Sequence, residues 1–141
     1  MKEPRWLTES EICTIHDRQL AEHGGIAGLR DSVLLNSGLD KPRNLFLYEK
    51  PTIHDLAAAY AYGITRNHPF NDGNKRTGFL AAYTFLGLNG WRLNASQEEV
   101  VLVVIDLAAG KITQQMFSKW LKSRLLKSDR HSRVPVAPLP R

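Results

Sequence analysis

Residues 79–88 read FLAAYTFLGL. None of the ten is charged, and only Thr84 and the Tyr83 hydroxyl are polar. Wound as a helix, this stretch is apolar nearly all round, which places it at the centre of a bundle rather than on its surface. The remainder of the chain must therefore supply helices that wrap it. Helical periodicity does run through most of the sequence. TESEICTIHDRQLAEHGG opens with a capping box, Thr8 and Glu11, carries Ile12, Ile15 and Leu20 on one stripe, and closes on glycines suited to a helix C-terminus. DSVLLNSGLD reads as a short helix interrupted near Gly38, and KPRNLFLYEKP, bounded by prolines, reads as an extended arm or small hairpin. TIHDLAAAYAYGITRNH places Ile53, Leu56, Ala57, Tyr60 and Ile64 on one face and must end by His68, because Pro69 disfavours helix at the residue before it.

The central helix is expected from about Asn74 to Leu88. SQEEVVLVVIDLAAG begins with a second capping-box pattern, Ser96 and Glu99, and TQQMFSKWLKSRLLK closes the set with Met116, Phe117, Trp120, Leu121 and Leu125 as its core stripe. The fold class is all-α, a compact bundle over residues 1–127. Residues 128–141 form a basic, proline-rich tail expected to be disordered.

A chain of 141 residues builds one core without staples. Its single cysteine, Cys13, rules out an internal disulfide and reads as a small buried side chain. No long apolar run and no apolar leader core is present, so the expected location is cytoplasmic, without a membrane partner. The net charge of +5 is confined to the C-terminal end: from Lys122 onward there are six basic residues and one acid, whereas residues 1–121 balance. The body of the domain is therefore not a nucleic-acid surface, and only the basic tail offers such a contact.

The strongest chemical signal stands immediately before the apolar helix, in residues 68–78, HPFNDGNKRTG. A helix N-terminus exposes unpaired N–H groups and the positive end of the dipole. The dipole alone contributes roughly 0.3–1 kcal/mol, too little to hold a triphosphate. Gly73 permits close backbone approach, Asn74 adds a side-chain donor, and Lys75 and Arg76 add positive charge at a helix end that ordinarily favours acids. That misplacement points to a bound anion. Asp72, the one acid among these cations, is a helix cap, a salt-bridge partner or a Mg²⁺ ligand, since magnesium takes one or two carboxylates together with substrate phosphates. His68 is either a helix-end residue or a general base. Phe70 reads as an apolar anchor under the loop. GNKRTG does not fit the phosphate loop of nucleoside triphosphatases, and the helix-breaking residues between His68 and Asp72 argue against a helical zinc pair.

HPFNDGNKRTG resembles the signature of the Fic/Doc family, His-x-Phe-x-Asp/Glu-Gly/Ala-Asn-Gly/Lys-Arg, most closely in its death-on-curing (Doc) branch. The segments IHDRQLAEHGGIAGLRD and LLNSGLDKPRNLFLY resemble the N-terminal half of that branch, so the likeness spans roughly residues 8–126. The resemblance implies an all-α bundle that transfers AMP or phosphate from a nucleoside triphosphate to a hydroxyl side chain of a target protein. It implies His68 as the base, Asp72 as the Mg²⁺ ligand, and Gly73, Asn74, Lys75 and Arg76 as the phosphate cradle for ATP. It also implies a target-positioning flap at Leu45, Phe46, Leu47, Tyr48, Glu49 and Lys50. Lys75 replaces the Gly of the AMP-transferring pattern, and Phe79 stands where that pattern has a second Arg. Both departures favour the kinase activity of the Doc branch, whereas Gly73 follows the AMP-transferring pattern. Many relatives carry an inhibitory helix with the pattern Ser/Thr-x-x-x-Glu-Gly/Asn. No such pattern is found here, so the expected regulation is an antitoxin acting in trans and the expected role is that of a toxin. The alternatives are an AMP transferase using the same residues and a catalytically silent binding protein.

Overall fold

A computed structural model describes residues 1–128. The tail, from Asp129 on, lies outside the described residues. Six helices carry the fold: α1 (Glu9–His23), α2 (Ser32–Tyr48), α3 (Ile53–Asn67), α4 (Asn74–Leu88), α5 (Gln97–Ala108) and α6 (Gln114–Arg124). Two three-residue strands, β1 (Trp91–Leu93) and β2 (Leu125–Lys127), pair antiparallel with Arg92 opposite Leu126. No helix among the described residues is long and apolar enough to cross a membrane.

α4 is buried along most of its length, as its composition requires, and shares the centre of the bundle with α3. Phe79, Ala81, Ala82, Phe85 and Leu86 are each at most 1% exposed. α3 packs along it through small residues. A Cβ on Gly78 would fall 2.4 Å from Thr65 Oγ1 and 3.0 Å from the Ala61 carbonyl, so the two helix backbones approach at this position more closely than any side chain permits. The same device joins α2 to α3, where a Cβ on Gly63 would stand 3.1 Å from both the Cα and the carbonyl oxygen of Gly38. Ahead of α1, Trp6 stacks on Phe85 and meets Phe46 edge-on. The Leu7 N–H donates to the buried Tyr60 hydroxyl across 3.0 Å.

Several expectations are met at the level of single residues. α4 begins at Asn74 and ends at Leu88, and α3 stops at Asn67, one residue before His68. The Thr8–Glu11 capping box is complete in both directions.

Others are corrected. The interruption near Gly38 is absent: α2 runs through it to Tyr48 with Pro42 inside. Proline removes one intrahelical hydrogen bond, whose acceptor would be the Gly38 carbonyl, and that carbonyl lies against Gly63 instead. Leu35, Leu39, Pro42 and then Leu45 and Phe46 share the inward face, which fixes the supposed arm as helix. Only the stretch Glu49–Thr52 is left outside helix.

At Ser96 the capping is one-sided. Its Oγ accepts from the Glu99 N–H, while the Glu99 carboxylate turns to Arg124 and Trp120. Met116 is exposed rather than core, and Leu125 leaves the last helix to start β2. Cys13 is half-buried rather than enclosed, and burial pushes its thiol pKa up, with Glu9 and Asp17 adding to the effect.

Candidate active site

The loop between α3 and α4 begins at a backbone outlier. His68 caps α3 in the left-handed region (φ 50°, ψ 56°) and is the only non-glycine residue with positive φ among the described residues. That conformation costs a β-carbon residue about 1–2 kcal/mol, and the surrounding contacts hold it. Arg30 Nε donates to the His68 carbonyl across 2.9 Å, its Nη2 reaches the same oxygen, and Nη2 also contacts the Asn67 carbonyl at 3.3 Å. A cation on the last carbonyls of a helix also suits the negative end of its dipole.

From there, residues 68–72 run alongside the segment that joins α1 to α2. The Arg30 and Asp31 N–H groups both donate to the Pro69 carbonyl, at 2.7 and 3.0 Å. Leu29 and Phe70 form an antiparallel bridge. The Asn71 N–H donates to the Gly28 carbonyl, and its side-chain amide donates to that of Ala27. Asp31 then caps α2, its Oδ1 accepting from the Val33 and Leu34 N–H groups. Residues 26–31 thus form a mould against which the motif is cast.

Within the motif, Phe70 is 2% exposed and belongs to the hydrophobic core. One of its faces is covered by His16 of α1, ring on ring, with centroids 3.8 Å apart and planes within 9°. Asn74 is buried, and its amide is occupied at both ends: Oδ1 accepts from the Phe70 N–H and Nδ2 donates to the Phe70 carbonyl, each at 3.0 Å. These two bonds close a ring across the turn and use one of the two Nδ2 hydrogens.

Gly73 is the N-cap of α4, left-handed at φ 76°. The Thr77 N–H donates to the Gly73 carbonyl and closes the first turn of α4, so the N–H groups of Asn74 and Lys75 stand ahead of the helix's own bonding ladder. Lys75 is exposed and Arg76 half-exposed on this same turn.

Asp72 is exposed, and its carboxylate is oriented by backbone on two sides. Oδ1 accepts from the Gly73 N–H at 2.9 Å and Oδ2 from the Ile26 N–H at 3.3 Å. A Cβ on Gly25, whose φ is +127°, would sit 2.8 Å from Oδ2. Each carboxylate oxygen keeps a lone pair beyond the one it uses here. No group of three or more His, Cys, Asp or Glu able to hold a metal occurs among the described residues. A single protein carboxylate can serve Mg²⁺, which keeps waters and takes its remaining ligands from substrate phosphates.

These residues open onto one cleft of about 390 Å³. His68, Asn71, Asp72, Gly73, Asn74, Lys75 and Arg76 line one side, and Val101, Val104 and Ile105 of α5 form an apolar wall on the other. Leu45–Lys50 do not line it. Leu45 and Phe46 pack towards the core, while Leu47 and Tyr48 are 67% and 83% exposed. Phe79 does not line it either: it is 1% exposed and packs on Tyr83.

The sequence reading missed His16, Gly25, Arg30 and the α5 wall. Only the pair of glycines at 24 and 25, longer than a helix end requires, was a local sign. The other contacts join residues about 40 or more positions apart.

The bundle thus brings a cation-rich helix start, a histidine and a lone carboxylate to one cleft. The Fic/DOC family model matches residues 6–86, more than half of the chain, and the chain belongs to that family. It is similar to the protein kinase Doc of Escherichia phage P1, 29% identical over 113 residues, which cover 79% of this chain and 86% of that protein. It is also similar to the toxin Doc of Mycolicibacterium smegmatis (strain ATCC 700084 / mc(2)155), 40% identical over 74 residues, covering 51% of this chain and 57% of that protein.

Proposed function

We propose that this protein is a Doc-type toxin, a protein kinase that transfers the γ-phosphate of ATP to a hydroxyl side chain of a target protein. The observation that carries the reading is the convergence of four things on one cleft: the backbone at the start of α4, the cations Lys75 and Arg76, the oriented carboxylate of Asp72, and His68. Family membership and the name of the phage relative support it.

In this mechanism a neutral His68 ring nitrogen accepts the proton of the target hydroxyl. That oxygen forms a bond to the γ-phosphorus while the bond from the γ-phosphorus to the β,γ-bridging oxygen breaks, and ADP leaves. The backbone at the start of α4, with Lys75 and Arg76, holds the phosphates as charge shifts to the leaving oxygen, which is the usual largest contribution at such a site. Asp72 would hold Mg²⁺, which when bound would neutralise phosphate charge. Val101, Val104 and Ile105 provide an apolar surface that excludes water from the cradle. An antitoxin acting in trans is the proposed partner, and the name of the mycobacterial relative is consistent with that.

A specific observation favours phosphate over AMP transfer: residue 79, where the AMP-transferring pattern has a second arginine, is a phenylalanine enclosed in the core. The test is label transfer from ATP into proteins of a cell lysate, with label on the γ-phosphate in one sample and on the α-phosphate in another. Transfer from the γ position alone, lost with His68→Ala, is the expected result. Transfer from the α position would establish AMP transfer instead.

A further inference from the structure

His16 lies on α1, outside the motif and outside the residues that line the cleft. It is 2% exposed, and its Nε2 is 2.8 Å from the Asp72 carbonyl oxygen. A carbonyl only accepts, so Nε2 carries the proton and donates. The carbonyl it holds belongs to the peptide plane between Asp72 and Gly73. The other end of that plane, the Gly73 N–H, is held by the Asp72 carboxylate at 2.9 Å. One peptide is therefore pinned at both ends, by His16 from the core and by Asp72 from the cleft.

The orientation of this plane decides what the cleft presents. With the carbonyl turned inward to His16, Gly73 adopts φ 76° and the helix N–H groups that follow face the cradle. A rotation of the plane by half a turn would take Gly73 out of the left-handed region. It would also bring a carbonyl dipole towards the phosphates and release the Asp72 carboxylate from its N–H. Hydrogen bonding fixes the plane, and stacking on Phe70 fixes the ring that makes the bond.

We infer that His16 is a positioning residue for the nucleotide site: it locks the Asp72–Gly73 peptide with its carbonyl away from the anion cradle. The inference rests on the proposed reading of the cleft as a nucleotide site, and it makes the donor on residue 16, rather than the ring, the determinant of ATP affinity.

Two variants separate the donor from the packing. His16→Phe keeps a flat ring against Phe70 and removes the donor, whereas His16→Gln keeps a nitrogen donor at about the same reach and removes the ring. Two measurements are made on each folded full-length protein: affinity for ATP in the presence of Mg²⁺ by calorimetric titration, and hydrogen exchange of the Gly73 amide by NMR without nucleotide. The expected result is that His16→Phe binds ATP at least tenfold more weakly and exchanges Gly73 at least tenfold faster, while His16→Gln stays within threefold of the unsubstituted protein in both. Equal affinity and exchange in His16→Phe would overturn the inference, as would equal losses in both variants, which would reduce His16 to a packing residue. If the unsubstituted protein binds no ATP while Gly73 exchange follows the expected pattern, the nucleotide reading falls and the peptide lock stands.

Discussion

The guanidinium of Arg30 holds the carbonyl of His68 through two of its nitrogens, 38 residues away along the chain, and so keeps the histidine in a backbone conformation it would otherwise leave. His68 owes its position at the mouth of the cleft to a residue with no chemistry of its own to perform.

Arg30→Ala is therefore expected to lower kcat by roughly 10–10²-fold, the scale of an ångström-level misplacement of a reacting group, with KM for ATP close to unchanged. The kcat–KM split in steady-state kinetics checks it. A rise in KM with kcat intact would place Arg30 with the nucleotide instead. His68→Ala itself should cost about 10²–10⁴-fold, the share of a general base.

Gly25→Ala should act through Asp72. The added methyl would stand 2.8 Å from Oδ2, at a φ of +127° that a side chain rarely adopts. Activity titrated against Mg²⁺ should show a half-saturating concentration raised about tenfold or more, a cautious figure for a displaced ligand. Gly24→Ala has open space around the new methyl and so separates backbone strain at this turn from contact with Asp72.

Asn74→Ala is expected to lower stability more than a surface substitution would. It strips partners from both the N–H and the carbonyl of the buried Phe70, about 1–3 kcal/mol for each group left unsatisfied. Denaturant unfolding measures the sum, and a loss under about 0.5 kcal/mol, the range of ordinary surface changes, would refute the ring-closing role.

Gly78→Ala inverts the usual helix preference. In an open helix the change to alanine would gain about 1 kcal/mol, but here the new Cβ meets Thr65 Oγ1 at 2.4 Å and the Ala61 carbonyl at 3.0 Å. The expected outcome is a loss of about 1–3 kcal/mol from overpacking, partly restored by Thr65→Ala. A double-mutant cycle on thermal unfolding tests the coupling.

At the far side of the bundle, His54 bridges the Thr52 hydroxyl and the Ser118 hydroxyl, each at 2.8 Å. Burial holds its pKa below the usual histidine value and Lys122 adds to this, against the opposing pull of Asp55. The folded state then binds fewer protons at this site than the unfolded one. The contribution of His54 is complete above the unfolded value near 6.5 and falls away as pH drops through the window beneath it. Asp55 adds a loss of the same sign at lower pH. Burial alone would raise its carboxyl, but hydrogen bonds from Ser118 and Thr52 together outweigh burial and set it below the ordinary carboxylate value. Stability should rise as pH climbs through the window below the ordinary histidine value, and His54→Gln should flatten that slope.

Much of this was legible in the sequence where the signal was local. Pro69 ended α3, the uncharged run from Phe79 marked α4 as a buried helix, and Thr8 with Glu11 set the start of α1. What escaped depended on partners distant in sequence. Gly38 and Pro42 look like helix breakers until Gly63 arrives across the groove to make glycine the right residue there. Glu99 spaces correctly for a capping box, yet Arg124 offers its carboxylate a charged partner. Asn74 reads as a donor to an anion, and what local pattern does not show is that one of its two amide hydrogens also serves the buried backbone of Phe70.

The segment 26–31 carries a last consequence. The eleven residues from His68 to Gly78 are not a portable cassette. Grafted between two helices of another protein they would bring every reactive side chain and still lack the template that shapes them, because that template emerges earlier in the chain, before α2 has been made. Anyone recognising or designing such a site from the short signature alone should ask for both halves of the casting.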